Sequence, residues 1–352
     1  MKIMPNEESK KPEEQVSDDS LYEEYTDEPE SGKAKKKGKR SVFSLIIFVI
    51  CAAVFVYSMY NIVIEQIANR DTDDTVDKFQ QERLEYEESL KDKETDSEAG
   101  EGSQPSGDTQ PSNTPSDTPA VDDRTSREVF DYIGDDDIKY LSADLAPYVA
   151  INNDTVGWFM FSDVKNKVSG LPIDLPVVYS GDNEYYLDHN FYNEENINGW
   201  VFIDYRNDPV DLSENHNTIL YGHARSDNMF GGLKYLNTEK SWYDNKDNHY
   251  IYLKTKNQDT VWQIFAWYET SVADETASTY NYIRTSFTKP ETFVEFCNLK
   301  QDKNVIPAFE KLEFTGDDSI LTLSTCKSYD KDIRVVVHAK LVKLRVWESE
   351  SP

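Results

Sequence analysis

Eight short runs rich in apolar and β-branched residues recur between positions 157 and 345, with turn formers between them. They fall at 157–161, 175–179, 199–204, 218–221, 250–255, 261–269, 319–326 and 334–345. Most have the length of a strand and are short for a helix, and the longest, 334–345, is rich in β-branched residues. Many short strands with few helices argue for a mainly β fold, an eight-stranded barrel, because closure removes the unpaired edges of an open sheet. Helices are expected at two places. Residues 127–151 set Val129, Phe130, Ile133, Ile138, Leu141, Leu145 and Val149 at helical spacing, interrupted at Gly134 and Pro147. Residues 291–301, entered through Pro290, read as a helix in the long stretch between the sixth and seventh strands.

Ahead of this region the composition changes several times. Residues 1–32 are polar and acidic, and predict disorder. Lys33, Lys35, Lys36, Lys37, Lys39 and Arg40 then form a basic cluster. Residues 41–64 carry no charge and are dominated by Val, Ile, Phe and Ala. That suffices for the roughly 20 apolar residues a helix needs to cross a bilayer. The basic cluster predicts a cytoplasmic N-terminus and an extracytoplasmic domain. A cleaved signal peptide has a shorter apolar run and no long tail before it. Residues 69–94 are strongly charged, with Val76, Phe79, Leu84 and Leu90 roughly at helical spacing, and predict a helical stalk. From Thr95 to position 125, Gly, Ser, Thr and Pro dominate and predict a flexible tether that gives an anchored domain reach. The expected division is a tail at 1–40, an anchor at 41–64, a stalk and linker at 65–125 and an extracytoplasmic domain at 126–352. With 66 acidic residues against 37 basic, a net charge of −29, the chain lacks the basic face of a nucleic-acid binder.

The chemistry gathers near the end of the chain. In Leu321-Thr322-Leu323-Ser324-Thr325-Cys326 alternation puts Thr322, Ser324 and Cys326 on one strand face. Cys326 closes the strand, beside a polar turn, and Arg334 opens the next one. An unpaired cysteine is most often a small buried hydrophobe. Here Arg334 supplies a permanent cation that favours a thiolate and can bind an oxyanion. His223 ends the apolar run 217–221 in the same manner, so a Cys and a His far apart in sequence both close strands. The other thiols read differently: Cys51 lies in the apolar segment, and Cys297 sits beside Phe293 and Phe296 as a packed, unreactive group. His189, His216 and His249 lie in polar turns, and His338 reads as structural. No Cys/His spacing fits zinc and no Asp-rich loop fits calcium, so neither metal nor cofactor is expected.

Thr322 to Cys326 with Arg334 eight positions on, preceded by Tyr221-Gly222-His223, resembles a sortase. The segments Asn152 to Trp158, Asp174 to Val178, Asp182 to Leu187, Phe202 to Asn207 and Met229-Phe230-Gly231 are similar, in order, to class B sortases. The resemblance spans about 129–346. It implies the sortase-type eight-stranded barrel, with a helix in the loop that covers the substrate groove. It also implies a cysteine transpeptidase that cleaves a C-terminal sorting signal of surface proteins after Thr and joins them to a peptidoglycan amine. On that pattern Cys326 is the nucleophile, His223 the acid and base, and Arg334 the oxyanion or substrate-positioning group. Ser324 and Thr325 become lining residues, Ser324 sharing the face of Cys326, and Tyr282 and Ile283 candidates for the groove wall. Two rival readings stay open: a cysteine peptidase of the wall zone, and a tethered barrel that binds without catalysis.

Overall fold

The computed structural model describes residues 39–98, 126–128, 144–161, 173–225, 229–276, 278, 281–327 and 330–347. The acidic tail at 1–38 and the tether at 99–125 lie outside them. The chain divides into two compact units, Met1–Tyr57 and Ser58–Pro352. In the first, the helix α1 (Lys39–Glu98) begins, and Val42, Phe43, Phe48 and Phe55 are all more than half exposed. An apolar helix without a polar face has nothing in water to pack against. Its length and composition suit a membrane crossing.

Among the described residues the second unit has nine strands: β1 (Ser126–Glu128), β2 (Thr155–Phe161), β3 (Ile173–Val178), β4 (Phe202–Ile203), β5 (Asn217–Tyr221), β6 (Tyr250–Thr255), β7 (Gln258–Ser271), β8 (Ile320–Lys327) and β9 (Asp330–Trp347). They run in the order β9-β7-β6-β2-β3-β4-β5-β8, and β8 pairs back with β9. That closes the eight-stranded barrel expected from the sequence. β1 lies outside the ring, antiparallel to the far end of β9, with Ser126 level with Trp347. The pairs β3–β4 and β5–β8 are parallel, and the others antiparallel.

Alternation along β2 shows how the core is made. Phe159 and Phe161 face inward, against Phe230 and Trp242 at 5.8 and 5.5 Å between ring centres. Trp158, one residue away, meets Tyr148 at 4.8 Å on a different side. Both faces of β2 are covered, so nearly every residue of it is buried. The cover includes α2 (Ala146–Ile151) and the later turns of α1. Ala68, Thr72, Thr75, Val76, Phe79 and Gln80 of α1 are buried, and Phe79 packs on Tyr148, Phe191, Tyr192 and Trp200. Arg83 reaches Asp174 of β3 at 2.6 Å, with both side chains largely hidden. Asn69 and Thr72 accept from Asn198 Nδ2, while Asp71 accepts from Asn190 and Asn196.

Several sequence expectations need correction. The charged stretch read as a stalk is helical, but its thin apolar stripe is a docking face for the barrel. Leu84 stays half exposed because the contact ends near Arg83. The helix expected over 127–151 is reduced to α2; Ser126–Glu128 is a strand, and 129–143 lie outside the described residues. The run expected as a strand from 199 shrinks to Phe202–Ile203. Gly199 takes φ +57°, which breaks an extended chain, and a Cβ there would collide with the Tyr186 carbonyl.

Between β7 and β8 lies the insertion. It holds a short helix, then Tyr282 and Ile283, then the helix Pro290–Asp302. The last agrees with the expected 291–301. Phe293, Phe296 and Cys297 on it are fully buried against Phe265, Tyr268 and Phe287. Burial pushes the Cys297 thiol far above its ordinary pKa, so it stays protonated.

Candidate active site

Three neighbouring strands meet at one end of the barrel. β5 runs parallel to β8 with Tyr221 level with Ser324, and β8 runs antiparallel to β9 with Cys326 level with Arg334. The Gly222 N–H donates to the Ser324 carbonyl at 3.4 Å, which extends the pairing past β5. His223 lies two residues beyond Tyr221, as Cys326 lies two beyond Ser324. Neighbouring strands are about 4.8 Å apart. The backbone therefore sets Cys326 level with Arg334 and carries the chain just past β5, with His223, toward the same end of the barrel, although 111 positions separate His223 from Arg334. Cys326 is described by its backbone; its thiol lies outside the described side chains.

A cavity of about 220 Å³ opens at this level. Tyr221, Gly222, His223, Ser324, Thr325 and Arg334 line it from the strand ends, and Asn183, Leu187 and Phe202 complete it. The His223 Nε2 lies 2.7 Å from the Leu187 carbonyl. A carbonyl only accepts, so Nε2 carries the proton and Nδ1 is the basic atom of the neutral ring. Burial pushes the His223 pKa below the usual histidine value; the Leu187 carbonyl opposes this, Arg225 adds to it and Asp188 opposes it. The imidazole is thus neutral at pH 7 and fit to take a proton.

The two hydroxyls differ. Ser324 Oγ is 3.1 Å from the Tyr282 hydroxyl and is satisfied. Thr325 Oγ1 is buried with no hydrogen-bond partner among the described residues, although Thr325 lines the cavity. Sharing the face of Cys326 made Ser324 the stronger sequence candidate. The hydroxyl without a hydrogen-bond partner among the described residues is that of Thr325. Tyr282 is buried and reaches the site through Ser324, while the Ile283 carbonyl accepts from Arg206 at 2.9 Å. Neither of them lines the cavity.

His338 is fully buried behind this wall. Thr322 Oγ1 donates to Asn217 Oδ1 at 2.6 Å, so its one proton is used. The His338 Nδ1–H must then donate to Thr322 Oγ1 at 2.9 Å, and Nε2 accepts from the Tyr268 hydroxyl at 3.0 Å. Asn217 Nδ2 donates onward to the Tyr282 and Arg284 carbonyls. Burial drives the His338 pKa well down, helped by Lys300 and Lys303, and the ring is a structural strut as expected. The other histidines are less solvated than their polar turns suggest. His249 is buried against Phe309, His216 packs on Phe287 and Phe293, and His189 stacks on Tyr185. Among the described residues no His/Cys/Asp/Glu group is arranged to hold a metal.

Sequence reasoning gave no role to Asn183, Leu187 or Tyr221. Their one signal was position: Tyr221 precedes the histidine by two, and the other two fall in the segment 182–187 that carried the resemblance.

A sortase domain model matches residues 167–342. Sortase B of Staphylococcus aureus (strain NCTC 8325 / PS 47) is 36% identical over 198 residues, which is 55% of this chain and 72% of that protein. Sortase B of Listeria monocytogenes serovar 1/2a (strain ATCC BAA-679 / EGD-e) is 36% identical over 197 residues, 54% of this chain and 71% of that one. The crystal structure of Clostridium perfringens sortase B is 27% identical with a TM-score of 0.48, covering 57% of this chain and all of that one. The chain belongs to the sortase family, and within it to the class B cysteine transpeptidases.

Proposed function

We propose that this transpeptidase works from the membrane, with its N-terminal tail in the cytoplasm, residues 41–64 as the anchor and the barrel outside, and that Cys326, His223 and Arg334 carry the reaction. What supports the residue assignment is that Cys326 is level with Arg334 across β8 and β9, and that His223 and Arg334 both line the cavity at this end of the barrel.

The Cys326 sulfur attacks the carbonyl carbon of a threonine in the client's C-terminal sorting signal, and His223 Nδ1 takes the thiol proton. Arg334 binds the oxyanion of the tetrahedral adduct with its planar fork. The C–N bond breaks, the leaving amine collects the proton from His223, and a thioester remains. A peptidoglycan amine then attacks the thioester, gives its proton to His223 and expels the thiolate. The neutral ring and basic Nδ1 of His223 suit both transfers. Thr325, with its unpaired buried hydroxyl, is the lining residue best placed to bond the substrate, and Ser324, Tyr282 and Ile283 form the wall behind it.

A peptide-library cleavage assay with and without an amine acceptor tests the reading. Amide product that grows with acceptor concentration and vanishes in Cys326→Ala supports transpeptidation; hydrolysis unchanged by any acceptor favours a peptidase. Arg334→Ala should lower kcat/KM by about 10²–10³, the loss typical of one oxyanion donor. Near-normal turnover in that variant removes Arg334 from the mechanism.

A further inference from the structure

Asp204 and Arg206 lie outside the reacting group, yet they join pieces of the molecule that border it. Asp204 is fully buried just beyond β4, and its carboxylate receives five donors. Asn183 Nδ2 donates at 3.0 Å and the Tyr221 hydroxyl at 2.8 Å, and both residues line the cavity. Arg206 supplies the rest: its backbone N–H at 2.9 Å, Nε at 2.8 Å and Nη2 at 2.7 Å. The same Nη2 donates to the Ile283 carbonyl at 2.9 Å, on the insertion between β7 and β8. So many donors outweigh the cost of burying the charge and hold the carboxylate below its usual pKa, so Asp204 stays ionised.

The orientation of Asn183 follows from this. Its Oδ1 accepts from the Tyr205 N–H at 3.0 Å and its Nδ2 gives one proton to Asp204. The amide is fixed from both ends, and one N–H of Nδ2 is left for an incoming group. On the other side, the guanidinium fork ties the buried carboxylate to the carbonyl of Ile283. A lysine has no planar fork and cannot hold both partners in this geometry.

We propose that Asp204 and Arg206 are positioning residues that fix the Asn183 amide in the cavity and tie the strand-end wall to the insertion segment packed behind it. They govern how tightly the client peptide is held, not how fast the sulfur reacts. The inference rests on the groove reading given above.

The test uses the full-length chain in detergent, with a cleavable sorting peptide and with p-nitrophenyl acetate. The ester is small enough to acylate Cys326 without filling the groove. In Arg206→Ala and Arg206→Lys, KM for the peptide should rise about tenfold, the size of one lost charge-assisted hydrogen bond, with kcat within about twofold. Turnover of the ester should stay within about twofold of wild type in both. A fall in kcat at unchanged KM, or equal losses on peptide and ester, overturns the proposal. If Arg206→Ala does not fold because Asp204 loses its cation, the neutral pair Asp204→Asn/Arg206→Gln decides by the same criteria. Failure of the functional reading looks different: Cys326→Ala would then leave peptide cleavage as fast as in wild type.

Discussion

The strand ends that line the cavity and the insertion packed behind them are held in place by different physics. The strand-end side, with His223, Ser324, Thr325 and Arg334, hangs on continuous backbone ladders between β5, β8 and β9 and on an apolar core beneath them. The insertion side, with Tyr282 and Ile283, hangs on side chains. Glu275 is buried, accepts from the Tyr282 N–H at 3.1 Å and from Thr270 Oγ1 at 3.2 Å, and pairs with Lys300 at 2.9 Å and with Lys303. Asn217 and Arg206 grip the carbonyls of the same segment. A ladder distributes its energy over many equivalent bonds, whereas a buried ion pair concentrates it in one contact that is costly to break. The strand side should therefore yield gradually and the insertion side abruptly.

Three measurements break or sharpen that contrast. Glu275→Ala leaves the buried Lys300 ammonium without its partner and should cost about 3–5 kcal/mol in urea unfolding. Hydrogen exchange should rise first in 281–302 and leave β8 and β9 protected. Equal loss of protection in β8 would mean that the two sides form one cooperative unit. Gly157→Ala attacks a ladder instead, on the β2–β6 pair of the same barrel. A Cβ there would overlap the Lys254 carbonyl oxygen across the β2–β6 pair, so the strands must part, at about 1–3 kcal/mol. Exchange should then rise in β2 and β6 and not in the insertion.

The smallest effect is that of pH. His338 faces Tyr268 and Thr322, with Lys300 and Lys303 close enough to repel its charge, and its folded pKa lies well below 6.5. The unfolded chain then binds the proton more readily. The contribution to stability is complete above about pH 6.5 and is lost as pH falls toward the folded pKa, by at most about 1.4 kcal/mol per pH unit. Burial depresses His223 and His249 as well, so the slope has several sources. His338→Gln keeps hydrogen-bonding groups without titrating, and should flatten the slope between pH 6.5 and 5. An unchanged slope would mean that His338 contributes nothing to it.

The same contrast explains what was legible in the sequence. A strand announces itself by its length and period, so the barrel strands and the places of Cys326, Arg334 and His223 near strand ends could be read from local pattern, while bringing His223 to Cys326 rested on the resemblance to sortases. The buried pair Glu275–Lys300 is 25 positions apart, and Asp204 to Ile283 is further, with no period linking them. Alternation favoured Ser324 because it records only which way a side chain leaves the strand. That Tyr282 would occupy its hydroxyl depended on a loop whose path no local rule gives. The segment 69–83 misled for the opposite reason. Its charged residues read as a free stalk, while a few apolar positions, Val76 and Phe79 among them, were enough to dock it.

That docked helix changes where the enzyme can work. The uncharged run ends at Ile64, and Ala68 is already buried in the barrel unit. Four residues span about 6 Å in a helix and about 14 Å when stretched. If the run is seated in a bilayer, as proposed, no more chain than that separates it from the first residue docked on the barrel. On that proposal the sorting peptide and the acceptor amine would meet the enzyme close to the bilayer.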